Sequence, residues 1–372
     1  MNRIKISDYS FMITVSGFVF GSAPLLISSS IAAIAGRDAW ISSLLATAAG
    51  LFVVWINTYL GGLYPDKTLV EVIILLLGKW LGIAASLFFA FVAIVTASQV
   101  IWYVGDFITT TYMPEASSFP INALFVTAVI IALLYGIEAM CRACEIFFMF
   151  LFPLYLFSMA MLAPNIEVKN LMPVMENGII PILKGMIPLM GFTILPVIFL
   201  NMVFPVNLID IKKGKKAMFN GYLLGMLTAF VGTFMSILVL GASITANLRF
   251  PLFTLTKEIN VGVIFTRLEA MILVVWLTTN FISAFFYFYA GAFGLAQILK
   301  LKDYKRIVIP LGFVIVVLSD FIYKNVPYEI NWDSYVWPSV VFAFGFILPI
   351  FLICIYTIKK WLGVNPPSHK SS

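Results

Sequence analysis

Few side chains in this sequence could perform enzymatic chemistry. The only histidine is His369, close to the C-terminus, and this removes Ser-His-Asp and Cys-His mechanisms and histidine-based metal sites. Cys141 and Cys144 have redox-motif spacing, but no βαβ pattern surrounds them, and we interpret them as a chance pair at a helix end. The sequence contains no GxxxxGKS/T phosphate-binding loop. We therefore predict a protein that is not an enzyme and that has neither a cofactor nor a metal site.

Polar residues do occur at helical spacing inside apolar runs. Gln99, Tyr103 and Asp106 share one face of a long apolar segment, and an ionisable residue inside a membrane is by default a functional hypothesis. Asp106 is either a gating or ion-pair residue or a carboxylate that reaches the interface. Arg267 and Glu269 are two residues apart and cannot pair on one helical face, so each needs a partner elsewhere. We predict that both are gating or ion-pair residues, which either pair with a neighbouring helix or contact a ligand.

Two clusters of glycine and proline could interrupt apolar helices. They are residues 17–24 (GFVFGSAP) and residues 185–196 (GMIPLMGFTILP). Glycine costs a helix about 1 kcal/mol and proline about 3 kcal/mol. Gly and Pro are common in membrane helices, but these clusters lie at matching positions in two five-helix halves, which is typical of inverted-repeat transporters with a site at mid-membrane. The predicted ligand-binding residues are Gly21, Ser22, Gln99, Tyr103, Gly191, Thr193, Thr279 and Asn280.

The elements that must position these residues are transmembrane helices. Hydrophobic residues make up 62% of the 372 residues and charged residues 11%, and the mean hydropathy is +1.04. A soluble domain carries about 25% charge, and apolar runs long enough to span a bilayer recur along the chain. We predict an all-α integral membrane protein of about ten spans: 8–33, 40–62, 80–112, 121–138, 145–163, 185–208, 217–244, 263–297, 307–325 and 336–358.

The positive residues predict how this protein is oriented in the membrane. With ten spans and a cytoplasmic N-terminus, sixteen of the 23 Lys and Arg residues fall in cytoplasmic segments, as the positive-inside rule requires. The C-terminal tail, 359–372, is then cytoplasmic as well. We predict a single transmembrane domain over 1–372 with halves 8–163 and 185–358. Membrane topology accounts for the net charge of +6, and we expect no nucleic-acid partner.

Four local motifs are distributed along the whole chain. They are residues 35–41 (AGRDAWI), 64–72 (YPDKTLVEV) with 77–82 (LGKWLG), 135–142 (YGIEAMCR), and 266–270 (TRLEA) followed by Trp276. Together they resemble the motifs of the permease-like B subunit of the spore germinant receptors (GerAB type), in the amino acid–polyamine–organocation superfamily. Residues 22–24 (SAP) depart from the family pattern, in which another glycine is expected.

The resemblance implies a ten-helix, leucine-transporter-type 5+5 inverted repeat with broken first and sixth helices. It further implies a spore inner membrane, an A-type subunit and a C-type lipoprotein subunit as partners, and a small-molecule germinant, commonly an amino acid but also a sugar or an ion. Membrane lipid surrounds such a subunit.

Two functional classes follow. In the first, the chain senses a germinant between its first, third, sixth and eighth helices and triggers germination. In the second, it is an ion-coupled secondary amino acid transporter. A third, weaker interpretation is a channel subunit whose polar stripe lines an ion path. Dependence on partner subunits favours the sensor, since a secondary transporter usually works alone.

Overall fold

The computed structural model describes residues 5–21, 23–257 and 268–363, and nearly all of them are helical. One isolated backbone bridge joins Ile6 to Leu208. Ser22, Arg267 and His369, which the sequence analysis names, lie outside the described residues.

Sixteen α-helices lie in the described ranges. Their bounds are α1 Asp8–Phe20, α2 Ala23–Ala35, α3 Ala39–Leu63, α4 Leu69–Leu77, α5 Lys79–Thr111, α6 Ser118–Tyr135, α7 Ile137–Ala160, α8 Ile179–Leu189, α9 Ile211–Leu240, α10 Ala242–Asn247, α11 Pro251–Lys257, α12 Leu268–Ile298, α13 Lys305–Phe321, α14 Val326–Asn331, α15 Trp337–Phe342 and α16 Leu348–Trp361. Turns of π-helix at Trp332–Val336 and Ala343–Ile347 join the last three into one long helical rod.

Eight helical segments of the described chain are long and apolar enough to cross a membrane. The prediction of about ten is consistent with this number. One of the eight segments, Leu25–Leu63, contains both α2 and α3, which a 3-10 turn at Gly36–Asp38 separates. The first helix and α13 are not among the eight segments because they are shorter. The first helix ends at Phe20 after 13 residues, and α13 has 17 residues.

Several helices begin at side chains that satisfy their free N–H groups. Thr68 and Glu71 form a reciprocal capping box at the start of α4. The Asp210 carboxylate accepts from the N–H groups of Lys212 and Lys213 at the start of α9, and the Asn325 side chain accepts from the Tyr328 N–H at the start of α14.

The packing of the helices reflects two related halves. The first span packs against the seventh (α1 on α9), and the sixth packs against the second (α8 on α3). The third and eighth spans pack together (α5 on α12), as do the fourth and ninth (α6 on α13). This reciprocal exchange of partners is the pattern expected when two five-helix halves are interleaved.

The two ends of the bundle differ in charge. Contacts between Lys5 and Leu208, Thr68 and Gln297, and Lys359 and Leu76 bring one set of connections together, and we call this the basic end. Residues 212–216 and 300–306 belong to it. The connections at residues 112–117, 161–178 and 241–257 form the opposite end.

The tenth span begins earlier than hydropathy predicts. The predicted span was 336–358, but the helix starts at Val326. Residues 325–335 are too polar for a hydropathy threshold, yet the structure buries Glu329 and Asp333 within the bundle. The boundary at 336 is therefore wrong by about three helical turns, because a hydropathy scale assumes that carboxylates face water.

Large apolar side chains lie both inside the bundle and on its outside. Two buried clusters form the interior, one toward the basic end and one toward the opposite end. Phe18 belongs to the first cluster and Phe20 to the second, so the end of α1 lies where they meet. Leu124 and Phe313 remain 75% and 70% exposed, as expected of side chains that lipid solvates.

Candidate functional site

The first span is broken at Gly21, and the eighth span holds the break. Gly21 has φ +41, and its N–H donates to the Gly17 carbonyl at 3.0 Å, which ends α1. The Thr279 hydroxyl donates to the Gly21 carbonyl at 2.8 Å, and the Ser283 hydroxyl donates to the Phe18 carbonyl at 3.4 Å. These hydrogen bonds satisfy carbonyls that the interrupted helix cannot pair. Two predicted site residues, Gly21 and Thr279, are thus in direct contact.

A side chain at residue 21 would have no space. A Cβ atom built there lies 2.8 Å from the Ser283 Oγ and 2.9 Å from the Phe18 carbonyl oxygen. The positive φ is also in a region that favours glycine. Both features fix Gly21 as the hinge of the break.

Asn280 of the eighth span presents an unsatisfied buried polar atom. It follows Thr279 in α12 and is fully buried. Its Nδ2 donates to the Trp276 carbonyl at 2.8 Å, while its Oδ1 has no hydrogen-bond partner among the described residues. An unpaired buried acceptor is costly, so this oxygen suits a donor group of a ligand or a water molecule.

The sixth span changes its helix type rather than separating into two helices. It passes from α8 into a π turn at Met190–Ile194 and then into a 3-10 helix at Leu195–Met202. The Gly191 carbonyl accepts from Trp337 Nε1 of the tenth span at 3.1 Å. The Thr193 hydroxyl donates to the Leu189 carbonyl at 2.6 Å. Within the described chain, these hydrogen bonds join neither residue to Gly21.

Phe192 connects the sixth span to the third. Its ring lies 6.2 Å from the Tyr103 ring, centroid to centroid. The sequence analysis did not name Phe192, because one aromatic residue among the 35 phenylalanines of the chain carries no local signal.

Gln99 and Tyr103 belong to a buried polar cluster between the third span and the tenth. Gln99 Nε2 donates to the Tyr323 hydroxyl at 2.8 Å. The Tyr103 hydroxyl donates to Asp333 Oδ2 at 2.5 Å, and the Tyr323 hydroxyl donates to Asp333 Oδ1 at 3.1 Å. Gln99 and Tyr103, both predicted, therefore belong to one cluster. The sequence analysis did not predict its carboxylate, Asp333.

An ion-pair network lies next to this cluster, toward the opposite end. The Arg249 guanidinium is 2.6 Å from an Asp106 carboxylate oxygen and 3.7 Å from a Glu329 carboxylate oxygen. It also lies 5.7 Å from the centre of the Trp102 ring. Arg249 lies between the predicted spans 217–244 and 263–297, yet it is largely buried and joins the connection after the seventh span to the third and tenth spans. We call Arg249, Asp106 and Glu329 the arginine network.

The sequence contained weak signals for the missed residues. Glu329 and Asp333 are four residues apart and so share a helical face. Asn325, followed by Val326 and Pro327, is a helix-start pattern. Glu269, which the sequence analysis held as a gating or ion-pair residue, is half-buried in the first turn of α12.

The space beside the break is small. A cavity of about 50 Å³ lies between the first, fifth, seventh and eighth spans, lined by Gly17, Phe20, Tyr155, Thr228 and Thr279 among others. Ligand pockets usually enclose about 300–1,000 Å³. A solute as large as an amino acid therefore requires the surrounding helices to move apart.

The oxygen atoms at the break are of the type that binds alkali cations. They form two hydrogen-bonded pairs: the Thr279 hydroxyl with the Gly21 carbonyl, and the Ser283 hydroxyl with the Phe18 carbonyl. Hard cations take such oxygen ligands. No group of three or more His, Cys, Asp or Glu residues that could hold a metal ion occurs within the described residues.

Comparison with known proteins gives consistent results. Residues 5–327 match the model of the Spore_permease family, described as spore germination protein. The chain is 28% identical over 368 residues to spore germination protein KB of Bacillus subtilis (strain 168), covering 97% of this chain and 96% of that protein. It is 26% identical over 337 residues to spore germination protein YndE of the same organism, covering 87% of each.

Two solved structures share the fold. One is Mhp1, a nucleobase-cation-symport-1 family transporter in a closed conformation with bromovinylhydantoin bound. Its TM-score is 0.70 at 11% identity, and the aligned region covers 96% of this chain and 79% of the Mhp1 chain. The other is MhsT in complex with L-phenylalanine, with a TM-score of 0.64 at 14% identity. The aligned region covers 96% of this chain and 99% of the MhsT chain. These similarities confirm the expected leucine-transporter-type fold.

Proposed function

Because the chain belongs to the Spore_permease family of spore germination proteins, we propose that it is the nutrient-sensing, permease-like subunit of a spore germinant receptor. The observation that carries the proposal is the break at Gly21, whose carbonyl is held by Thr279 of the eighth span. Such a break places backbone groups inside the bundle, where they can bind the charged ends of a solute without charged side chains.

The proposed ligand is an amino acid that binds at mid-membrane between the first, third, sixth and eighth spans. Gly21 with Ser22, Thr279 and Asn280 contact it, and the free Oδ1 of Asn280 accepts from its ammonium group. Gln99 and Tyr103 form the third-span wall, and Gly191 and Thr193 contribute from the sixth span. Complex formation between MhsT and L-phenylalanine supports this ligand class, since MhsT has the same fold.

The arginine network acts as the gate in this proposal. It joins three parts of the opposite end, and Tyr103 extends from the solute site to Asp333 beside it. A solute shifts an equilibrium only through unequal affinity for its two states. We propose that the solute binds one arrangement of Tyr103 better than the other and so biases the network, with Arg267 and Glu269 as further gating residues.

The proposed setting is the inner membrane of a spore, with both termini in the cytoplasm and the basic end facing it. The distribution of Lys and Arg supports this orientation. An A-type subunit and a C-type lipoprotein subunit complete the receptor and convert solute binding into germination.

An ion-coupled amino acid transporter is the second candidate. The fold of the transporter Mhp1 favours it, as do the oxygen atoms at the break, which could ligate sodium.

Binding and uptake by the same purified chain test both candidates. Amino acids, sugars and K⁺ are screened for a ligand-induced thermal shift, and uptake of each ligand into proteoliposomes is measured in parallel. The sensor predicts saturable binding without uptake. Saturable, gradient-driven uptake by the chain alone would replace the sensor with the transporter, and no saturable binding of any solute would contradict both.

A further inference from the structure

A second, larger cavity lies at the basic end of the bundle and has no role in the proposed function. It encloses about 670 Å³, within the range of ligand-binding cavities. Its walls come from the start of α4, the junction of α6 and α7, residues 206–207, the end of α12 and residues 300–305.

An aromatic layer separates this cavity from the break in the first span. The Phe18 ring lies 5.0 Å from the Tyr287 ring and 6.1 Å from the Phe286 ring, centroid to centroid. Tyr287 in turn packs on Phe199 of the sixth span at 5.2 Å. The two spaces are therefore distinct sites in this structure.

Three lysines surround the cavity without a carboxylate partner. Lys300, Lys302 and Lys305 line it, and none of them forms an ion pair with a described residue. The cavity also has two carboxylates, but both are engaged at helix starts. Glu71 accepts from the Thr68 N–H at 2.9 Å, and Asp303 accepts from the Lys305 N–H at 3.0 Å.

Helix starts add further positive potential. The first residues of α7 and α13, Ile137 and Lys305, line the cavity, as do Thr68 and Glu71 of the capping box at the start of α4. At the start of α7, Gly136 has no side chain that could accept from the free N–H groups of the first turn. Helix N-termini favour bound anions through these N–H groups and through the helix dipole.

A buried hydroxyl completes the polar lining. Tyr289 lines the cavity and is only 3% exposed. The neighbouring Tyr304 hydroxyl donates to the Leu133 carbonyl at 3.0 Å. Tyr289 thus supplies an O–H donor in the wall of the cavity.

We propose that this cavity binds a phosphate-bearing anion that enters from the basic end. Lysine ammonium groups, the free N–H groups at the start of α7 and a tyrosine O–H are all donors, which suits the many acceptor oxygens of a phosphate. The apolar floor formed by Phe293 and Val206 accommodates a carbon skeleton attached to that phosphate. The same chemistry occurs in an anionic lipid headgroup and in a soluble phosphate ester.

The test measures phosphate binding to the purified full-length chain in a neutral detergent by titration calorimetry. The probes are dihexanoylphosphatidylglycerol, glycerol 3-phosphate and inorganic phosphate. The triple variant Lys300→Gln, Lys302→Gln and Lys305→Gln should bind at least tenfold more weakly than the unmodified chain. Tyr289→Phe should bind at least threefold more weakly. Because the contacts are ionic, affinity should fall as the salt concentration rises.

A matched triple variant controls for total charge. Lys212→Gln, Lys213→Gln and Lys216→Gln remove the same charge from the same end, but these three lysines do not line the cavity. This variant should change affinity by less than twofold. An equal loss in both triple variants, or no saturable binding of any of the three probes, would overturn the proposal.

Comparison among the probes identifies the source of the phosphate. Binding of phosphatidylglycerol alone assigns a lipid headgroup, while binding of glycerol 3-phosphate with similar affinity assigns a soluble ester. Glutamate serves as a carboxylate of similar size. Equal affinity for glutamate and glycerol 3-phosphate would refute the preference for phosphate.

Discussion

Replacing Gly21 with alanine tests whether the break in the first span forms the solute site. At φ +41, a non-glycine residue costs about 1–3 kcal/mol in backbone strain. The new methyl group would also lie 2.8 Å from the Ser283 Oγ and 2.9 Å from the Phe18 carbonyl oxygen, and overpacking of this kind costs about 1–3 kcal/mol. The backbone must shift to relieve this contact, and the Gly21 carbonyl moves with it.

Gly36→Ala is the matched control. Gly36 has φ +59, so alanine is strained there too, but its Cβ would have no atom within 4 Å. The two variants thus differ chiefly in the overpacking. If this overpacking cost of about 1–3 kcal/mol reduces the free energy of solute binding, solute affinity falls about 5- to 150-fold in Gly21→Ala and changes little in Gly36→Ala.

The assay is the ligand-induced thermal shift of the purified variants, with the dose–response of spores that carry each variant together with the partner subunits. Expression and membrane insertion are checked first, since both variants should still fold. Equal solute affinity in Gly21→Ala and Gly36→Ala would refute the assignment of the site to the break.

Three further substitutions probe the surroundings of this break. Thr279→Val removes the hydroxyl that donates to the carbonyl at the break and should cost about 1 kcal/mol of solute affinity; Thr278→Val, whose hydroxyl bonds only within its own helix, should have no effect in the same titration. Arg249→Met leaves two facing carboxylates without a cation and should lower the free energy of unfolding by about 3 kcal/mol, whereas Arg142→Met, which breaks an exposed pair, should change it by less than about 0.5 kcal/mol in the same denaturation assay. Gly191→Ala should weaken solute binding without disturbing the fold, because its methyl group would meet the tenth-span proline only at an ordinary contact distance of 3.6 Å and any loss of affinity then reports a solute packed against that residue; unchanged affinity would remove Gly191 from the proposed site.

Much of the fold was predictable because apolar length and glycine placement are local properties of the sequence. The long apolar runs located the helices, and residues 17–24 predicted an interruption in the first span, where the structure ends α1 at Phe20. Thr279 was among the predicted ligand-binding residues, and its hydroxyl donates to the carbonyl of Gly21.

The polar contacts were not predictable because their partners are far apart in the sequence. Tyr103 and Asp333, which share a hydrogen bond, are separated by 230 residues. Hydropathy assigned Arg249 and Glu329 to water, because a charged residue is costly in the membrane unless a partner compensates it. Only the packing of the third span against the tenth shows that each of them has such a partner.

The binding free energy of a solute limits how strong a gate it can open. Moving a two-state equilibrium from 1:99 to 99:1 requires about 5.5 kcal/mol of differential affinity. A solute bound at micromolar affinity has only about 8 kcal/mol in total, so most of its binding energy would have to favour one state. Such a solute could open an end of the bundle that is held closed by an ion pair worth a few kcal/mol. It could not open an end that is held closed much more strongly. The arginine network includes a carboxylate that is 12% exposed and a guanidinium that is 25% exposed. Partial exposure weakens the pair relative to a fully buried one, because solvent screens it. This moderate strength suits a gate that one small solute can bias.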